Sequence, residues 1–155
     1  MREMNLEERI QELGIWYRFI QKKETIHTAD ASTASGIELH RITKNLVSIT
    51  NTGEYVVLII PGDRRVDLKK AADALKVKNV KLVSFDEAEA VSGYPPGATP
   101  SIGFKNKMRV ILDTELTRFE TLYCGGGKRD RLLEVRVNDV VRLNNAVVAL
   151  ISLKS

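Results

Sequence analysis

Two glycine-rich segments are the parts of this chain whose residue types could do chemistry. They span residues 93–103 and 125–127. Because glycine has no Cβ, main-chain N–H groups in such segments can approach a ligand and form anion-binding nests or oxyanion holes. Tight turns have the same composition, so the residues alone leave a ligand loop and a plain turn equally open.

Basic residues surround both segments. Between Ser101 and Arg131 the chain has seven basic and four acidic residues, an excess of three out of a net charge of +4. A surface of this kind could contact a phosphate backbone. A charge-mixed face that only meets solvent is the alternative.

Lys44 is a third candidate functional feature, because it is the first residue of a predicted strand. If side chains alternate, Lys44 shares a face with Leu46 and Ser48, opposite Asn45 and Val47. A half-polar face suits the lining of a cleft, although a lysine at a strand end is more often simply exposed.

Other common sites are absent from the sequence. The two histidines, His27 and His40, belong to no zinc pattern, and the glycines at 125–127 lack the flanking residues of a Walker motif. Cys124 has no histidine partner in the sequence, so we predict an inert strand cysteine. We therefore expect no metal and no cofactor.

Composition predicts one cytoplasmic domain. The chain has 155 residues, 43% of them apolar, and a single cysteine that cannot form an internal disulfide. No signal-peptide pattern is present, and the longest apolar runs are far shorter than the ~18 residues that suggest a membrane span. Secreted and membrane classes are thus excluded.

The elements that must position these residues are short helices and strands. Apolar spacing predicts helices over 5–14, 28–36, 67–75, 86–91 and 138–143. Strands are predicted over 16–21, 44–50, 55–60, 80–84, 110–112, 121–124, 132–137 and 147–151. The turn at 51–54 makes the second and third strands a hairpin. Because strands are mixed with short helices and long crossover helices are few, a mixed or antiparallel sheet is favoured.

In order and spacing, four stretches resemble the YbaK/ProX family of aminoacyl-tRNA deacylases, free-standing relatives of the editing domain inserted in some prolyl-tRNA synthetases. They are TKNLV (43–47), PGDRRVDLKKAADAL (61–75), SGYPPGATPSIG (92–103) and YCGGGKR (123–129). The resemblance implies an α+β fold, with a mixed, barrel-like β-sheet flanked by short helices, in a single editing domain over 1–155. It also implies hydrolysis of the ester that joins a wrong amino acid to the 3′-terminal ribose of a tRNA. The expected partners are mischarged tRNA and prolyl-tRNA synthetase.

The resemblance makes Lys44 the central catalytic residue. We favour a cation that holds the terminal phosphate or stabilises developing charge, and a deprotonated base is the alternative. Carried over from the family, the residues that bind the aminoacyl end are Asn45, Gly93, Tyr94, Gly97, Thr99, Gly103, Gly125, Gly126 and Gly127. The basic rim for tRNA is Lys22, Lys105, Lys107, Lys128 and Arg129.

Several departures from the family leave alternatives open. Ala98 replaces a usual glycine and Pro100-Ser101 replaces a usual Ser-Pro, which weakens the expected oxyanion donation. Lys44-Asn45 is similar to the alanine-removing branch, whereas YCGGGKR is similar to the cysteine-removing branch, so the amino acid is alanine or cysteine. A small pocket would exclude proline by size. A non-catalytic module that binds tRNA or a nucleotide is the main alternative, and a subunit that supports a synthetase by contact alone is a third.

Overall fold

The structure, a computed structural model, describes residues 3–155. Its helices are α1 (Leu6–Leu13), α2 (Thr28–Ser35), α3 (Leu68–Leu75), α4 (Phe85–Ser92) and α5 (Val137–Asn144). Its strands are β1 (Tyr17–Gln21), β2 (Thr43–Thr50), β3 (Tyr55–Pro61), β4 (Arg64–Val66), β5 (Val80–Leu82), β6 (Arg109–Asp113), β7 (Thr121–Gly125), β8 (Arg131–Arg136), β9 (Val147–Ala149) and β10 (Ser152–Lys154).

The strands form a five-stranded sheet, a three-stranded sheet and a two-stranded ribbon. The large sheet has the order β5-β2-β3-β6-β9, with β3, β6 and β9 parallel and the other neighbours antiparallel. The order β1-β8-β7 forms the antiparallel second sheet, and β10 pairs with β4. The predicted α+β class with a mixed sheet and short flanking helices is confirmed. The sheets of the described residues do not close into a barrel, and one bridge from Ile42 to Tyr123 connects the two larger ones.

Helix ends follow the capping residues in the sequence. Asn5 caps α1 in a capping box with Glu8, and Asp67 and Ser84 cap α3 and α4 through their side chains. The exceptions are α2 and α5, whose N-cap residues, His27 and Arg136, make no side-chain capping hydrogen bond. The helix predicted over 28–36 has Thr28 at its N-terminus, where we expected the cap, but Thr28 is already helical.

The predicted strand over 147–151 ends early, at Ala149 as β9, and a separate strand, β10, begins at Ser152. Asp113, a fully buried carboxylate, accepts a hydrogen bond from the main-chain N–H of Ile151 at 2.9 Å, and Ile151 O accepts from Asp67 N at 2.7 Å. These bonds turn the chain out of the large sheet, so that β10 pairs with β4, a strand that the sequence did not predict.

The core lies on both faces of the large sheet. β3 is buried on either side: Val56, Leu58 and Ile60 pack toward α3, whereas Val57 and Ile59 pack into the cluster that contains α1 and α5. Such two-sided burial fixes β3 firmly, and β3 in turn fixes its hairpin partner β2. No helix in the described part of the chain is long and apolar enough to span a membrane.

Candidate active site

The first half of β2 is an open sheet edge. β5 pairs only with residues 48–50 of β2. Gly62 N donates to Ile42 O at 2.7 Å and Thr50 N to Glu54 O at 2.9 Å, so even-numbered residues of β2 hydrogen-bond to the β3 side. In an antiparallel ladder the alternate residues point the other way. The main-chain N–H and C=O of Asn45 therefore face away from β3, beyond the end of β5.

A cleft of about 480 Å³ runs along this edge. This volume is within the ~300–1,000 Å³ typical of small-molecule sites. Its walls come from the start of α2, the segment 93–103, β5 with α4, and β7 with β8. The lining residues that the argument uses are His27, Thr28, Lys44, Asn45, Phe85, Tyr94, Gly97, Thr99 and Gly125.

Lys44 lines the cleft. Leu46 packs toward α3 and Val47 toward the opposite cluster, which confirms the alternation predicted for β2. Because the cleft follows the edge of the strand rather than one face, both Lys44 and Asn45 border it. Lys44 Nζ donates to the main-chain oxygen of Arg64 at 2.8 Å. It is the only Lys or Arg among the described residues that line the cleft.

The side chain of Asn45 holds the segment 93–103 in place. Its Nδ2 donates to Thr43 Oγ1 at 2.8 Å and to Thr99 O at 3.1 Å, and its Oδ1 accepts from Ser101 Oγ at 2.5 Å. These bonds leave the amide little capacity for a substrate. Direct binding by this residue would therefore use its main chain.

The two glycine segments are hydrogen-bonded to each other. Gly125 N donates to Thr99 O at 3.1 Å, and Gly127 N donates to Ala98 O at 2.9 Å. A Cβ on Gly125 would lie 2.3 Å from the carbonyl carbon of Ala98, so only glycine permits this approach. The sequence suggested oxyanion donation from these amides. The structure corrects this for Gly125 and Gly127, whose N–H groups are already used.

The predicted substrate-binding residues fall into two groups. Tyr94, Gly97, Thr99 and Gly125 line the cleft. The other glycines shape its support: Gly93 ends α4 with φ +90°, and Cβ atoms on Gly103 and Gly127 would meet Leu6 of α1 at 2.9 and 3.1 Å. Gly126 packs against Arg131.

Helix α1 supports both glycine segments from behind. Arg9 donates to Tyr94 Oη and to Gly103 O, each at 3.3 Å, and Tyr94 Oη donates a short hydrogen bond to Gly103 O. Desolvation raises the pKa of Tyr94. Sequence reasoning missed this role. The available signal was a cation, Arg9, among the apolar residues on one face of α1.

The start of α2 presents main-chain donors to the cleft. His27, Thr28 and Ala29 line it, and the first helical bond runs from Ala31 N to His27 O. The N–H groups of residues 28–30 therefore have no helical acceptor, and they carry the positive end of the helix dipole. The sequence indicated neither this placement nor that of His27.

The residues of the predicted basic rim differ in their contacts: three are bonded to other groups of the protein, and the other two are exposed. Lys22 Nζ donates to Arg129 O at 2.7 Å, and Arg129 Nε donates to Pro96 O at 2.8 Å, which ties both to the wall of the cleft. Burial lowers the pKa of Lys22. Lys105 is paired with Glu3 at 2.9 Å, and its side chain packs against Gly93. The other two rim residues, Lys107 and Lys128, are exposed.

Cys124, a residue of β7, is buried, and its thiol lies beside Ser101. Burial raises the pKa of its thiol to about 12. The thiol therefore stays protonated at neutral pH, in agreement with the predicted inert cysteine.

Comparison with known proteins relates the chain to a family and to solved folds. The model of the aminoacyl-tRNA editing domain family matches residues 23–143. A relative from Enterococcus faecalis is 31% identical over 138 residues, which cover 89% of this chain and 84% of the relative. That protein, EbsC, is named a candidate Cys-tRNA(Pro)/Cys-tRNA(Cys) deacylase.

Two solved structures share the fold. The hypothetical protein APE2540 has a TM-score of 0.87 and 30% identity, covering 95% of this chain and 98% of its own. A candidate trans-editing enzyme for prolyl tRNA synthetase has a TM-score of 0.81 and 21% identity, covering 98% and 99%. The chain also matches proline–tRNA ligases, where it spans about a fifth of their length.

Proposed function

Since the chain belongs to the aminoacyl-tRNA editing domain family, we propose that it is a trans-editing hydrolase that removes wrongly attached amino acids from tRNA. The bond broken is the ester between the amino acid and the 3′-terminal ribose. The observation that carries this proposal is the cleft along the open edge of β2, where Lys44 and unpaired main-chain groups meet an otherwise mostly apolar lining. A concave apolar site with few convergent polar groups suits a small aminoacyl group.

Hydrolysis here needs an electrophile held in place and a water. The water oxygen attacks the ester carbonyl carbon, the bond to the ribose oxygen breaks, and a proton from the water goes to that oxygen. Negative charge develops on the carbonyl oxygen and must meet donors. Because Gly125 and Gly127 donate elsewhere, the donors we assign are Asn45 N–H and the first N–H groups of α2.

Lys44 supplies positive charge in this scheme. One N–H of its ammonium goes to Arg64 O, and two others remain for a phosphate or the developing oxyanion. A bond to a carbonyl oxygen suits the protonated amine, which is why we assign the cationic role rather than that of a base.

The amino acid removed is alanine or cysteine, and proline is excluded by size. The lining of the cleft includes Ala31, Val47 and Leu132, whose apolar side chains restrict the space for a substrate side chain. One missing or extra methylene in such a pocket changes selectivity by ~10- to 200-fold. The name of the E. faecalis relative favours cysteine. The proposed tRNA is that for proline, in the cytoplasm, with prolyl-tRNA synthetase as the enzyme whose errors are corrected.

A non-catalytic tRNA-binding module is the competing function. The observation that favours it is the engagement of the Gly125 and Gly127 amides, which leaves fewer oxyanion donors than the sequence suggested.

The test is deacylation of tRNA(Pro) charged with alanine, cysteine or proline. We expect the wild type to release alanine or cysteine and to leave prolyl-tRNA(Pro) intact. Lys44→Ala should lower kcat/KM by at least ~100-fold, the scale of a lost charge-stabilising group. Lys81→Ala, an exposed lysine of β5, is the matched control. Binding without release faster than buffer would replace the hydrolase with the binding module.

A further inference from the structure

We propose that Phe85, at the outer mouth of the cleft, is the platform on which the terminal adenine base of the substrate tRNA stacks. This inference rests on the proposed function, because it assumes that the aminoacylated 3′ end enters the cleft. Nothing in the sequence motifs singled out this residue.

Phe85 is exposed in a way that its fold does not require. Its side chain is 70% accessible, the highest value among the large apolar side chains of the described residues. A second exposed apolar side chain of the cleft lining, Leu82 at 45%, precedes Phe85 by three residues, and a third, Ile26 at 48%, lies against Gly97. Exposed apolar residues scattered singly need no explanation, but several along one cleft indicate a binding surface.

The position of the ring is fixed by local structure. Phe85 is the first residue of α4, and the N-cap Ser84 accepts a hydrogen bond from Glu87 N at 3.2 Å. Glu87 in turn accepts a hydrogen bond from Tyr55 Oη at 2.5 Å, which anchors this turn to β3. A planar side chain held on an anchored helix end loses little entropy when a base stacks on it.

Charge separates the two ends of the cleft. The turn after Phe85 carries Asp86 and Glu87, which repel phosphate, while Arg129 and Lys22 lie at the end near Gly97. The neutral, flat part of a nucleotide therefore suits the Phe85 end, and its phosphates suit the other.

The spacing agrees with a single nucleotide. Val83 N donates to Val47 O at 3.2 Å, so the chain leading into α4 meets β2 two residues beyond Asn45. At ~3.3 Å per residue this is about 7 Å along the strand, a distance that one nucleoside can span, and Phe85 follows Val83 by two residues. With the ester near Asn45, the base of the same nucleoside reaches Phe85. Aromatic side chains are the usual stacking partners of unpaired bases.

The experiment uses an acceptor-stem minihelix whose unpaired 3′ end carries 2-aminopurine in place of the terminal adenine. Wild-type protein should quench its fluorescence on binding, because stacking quenches this base. Phe85→Ala should weaken binding by about tenfold and remove the quench, within the range reported for one stacked base. Phe85→Trp should keep both. Phe85→Leu separates stacking from general apolar contact, and we expect it to bind nearly as weakly as alanine.

Leu150→Ala is the matched control, since Leu150 is an exposed large apolar residue, 45% accessible, outside the cleft lining. Wild-type binding by Phe85→Ala would overturn the proposal. If the wild type self-associates, loss of that association in Phe85→Ala with unchanged minihelix affinity would also overturn it, because the occupant would then be a second copy of the chain. Failure of the proposed function is distinguishable: minihelix binding would still depend on Phe85, but no charged tRNA would be hydrolysed.

Discussion

The guanidinium of Arg9 donates to the hydroxyl of Tyr94 at 3.3 Å and lies 5.8 Å from the centre of its ring. Arg9 belongs to α1, which precedes the segment matched by the family model, whereas Tyr94 lines the cleft. One end of the glycine segment 93–103 is thus held from outside the matched region, through a charged hydrogen bond and a cation–π contact.

We predict that Arg9→Ala lowers kcat/KM several-fold, because the segment 93–103 loses its support. The free energy of unfolding should fall by only about 1 kcal/mol, because the contact is partly exposed. Limited proteolysis should cut within residues 93–103 faster in this variant than in the wild type. Arg142→Ala, which removes a surface ion pair with Asp139, is the control. Equal cleavage rates in all three proteins would contradict the support that we assign to α1.

Gly125→Ala should separate the two glycine segments, because its Cβ would lie 2.3 Å from Ala98 C. We expect a loss of ~1–3 kcal/mol in unfolding free energy, as for overpacked sites, and at least ~10-fold lower kcat/KM. Gly53→Ala is the comparison, since Gly53 has φ +86° but open space around its Cβ. That variant should lose stability through backbone strain and keep kcat/KM. Similar kinetic losses in both variants would rule out the contact as the cause.

Cys124 should not react with a thiol reagent in the native protein at pH 7.5, since burial raises its pKa to about 12. The unfolded thiol ionises near pH ~8.5, so above that pH the unfolded chain loses a proton that the folded protein keeps. Stability should therefore fall as pH rises, by roughly 1 kcal/mol from pH 8.5 to 9.5. Denaturant unfolding at both pH values measures this. The Cys124→Ser variant should lack that part of the slope, and identical slopes would refute the assignment.

Lys128→Ala should weaken tRNA binding and lower the slope of log K against log salt by about 1, the contribution of one phosphate contact. Lys107→Ala should lower the slope by a similar amount if both exposed lysines contact the phosphate backbone of the tRNA. Lys105→Ala should change the slope less, because Glu3 already neutralises its charge at 2.9 Å. Salt titrations of binding by all three variants provide the measurement. An unchanged slope for Lys128→Ala would make that residue part of an ordinary solvated surface.

The local elements of this protein could be predicted from its sequence. Capping residues such as Asn5, Asp67 and Ser84 and the alternation in β2 act over a few residues, so the helices and the hairpin were predicted to within a few positions. The motifs also predicted the family, and with it Lys44 and the glycine segments, because residue type and order carry that information directly.

Tertiary structure alone decided how these pieces meet. Registers between distant strands leave the edge of β2 open at Asn45, and the close approach of Gly125 to Ala98 uses amides that the sequence left available for a ligand. Arg9, His27 and Phe85 reach the site or its support from elements that no motif connects to Lys44. The physical reason is that these contacts join residues far apart in the chain, and no local spacing records which distant groups will meet.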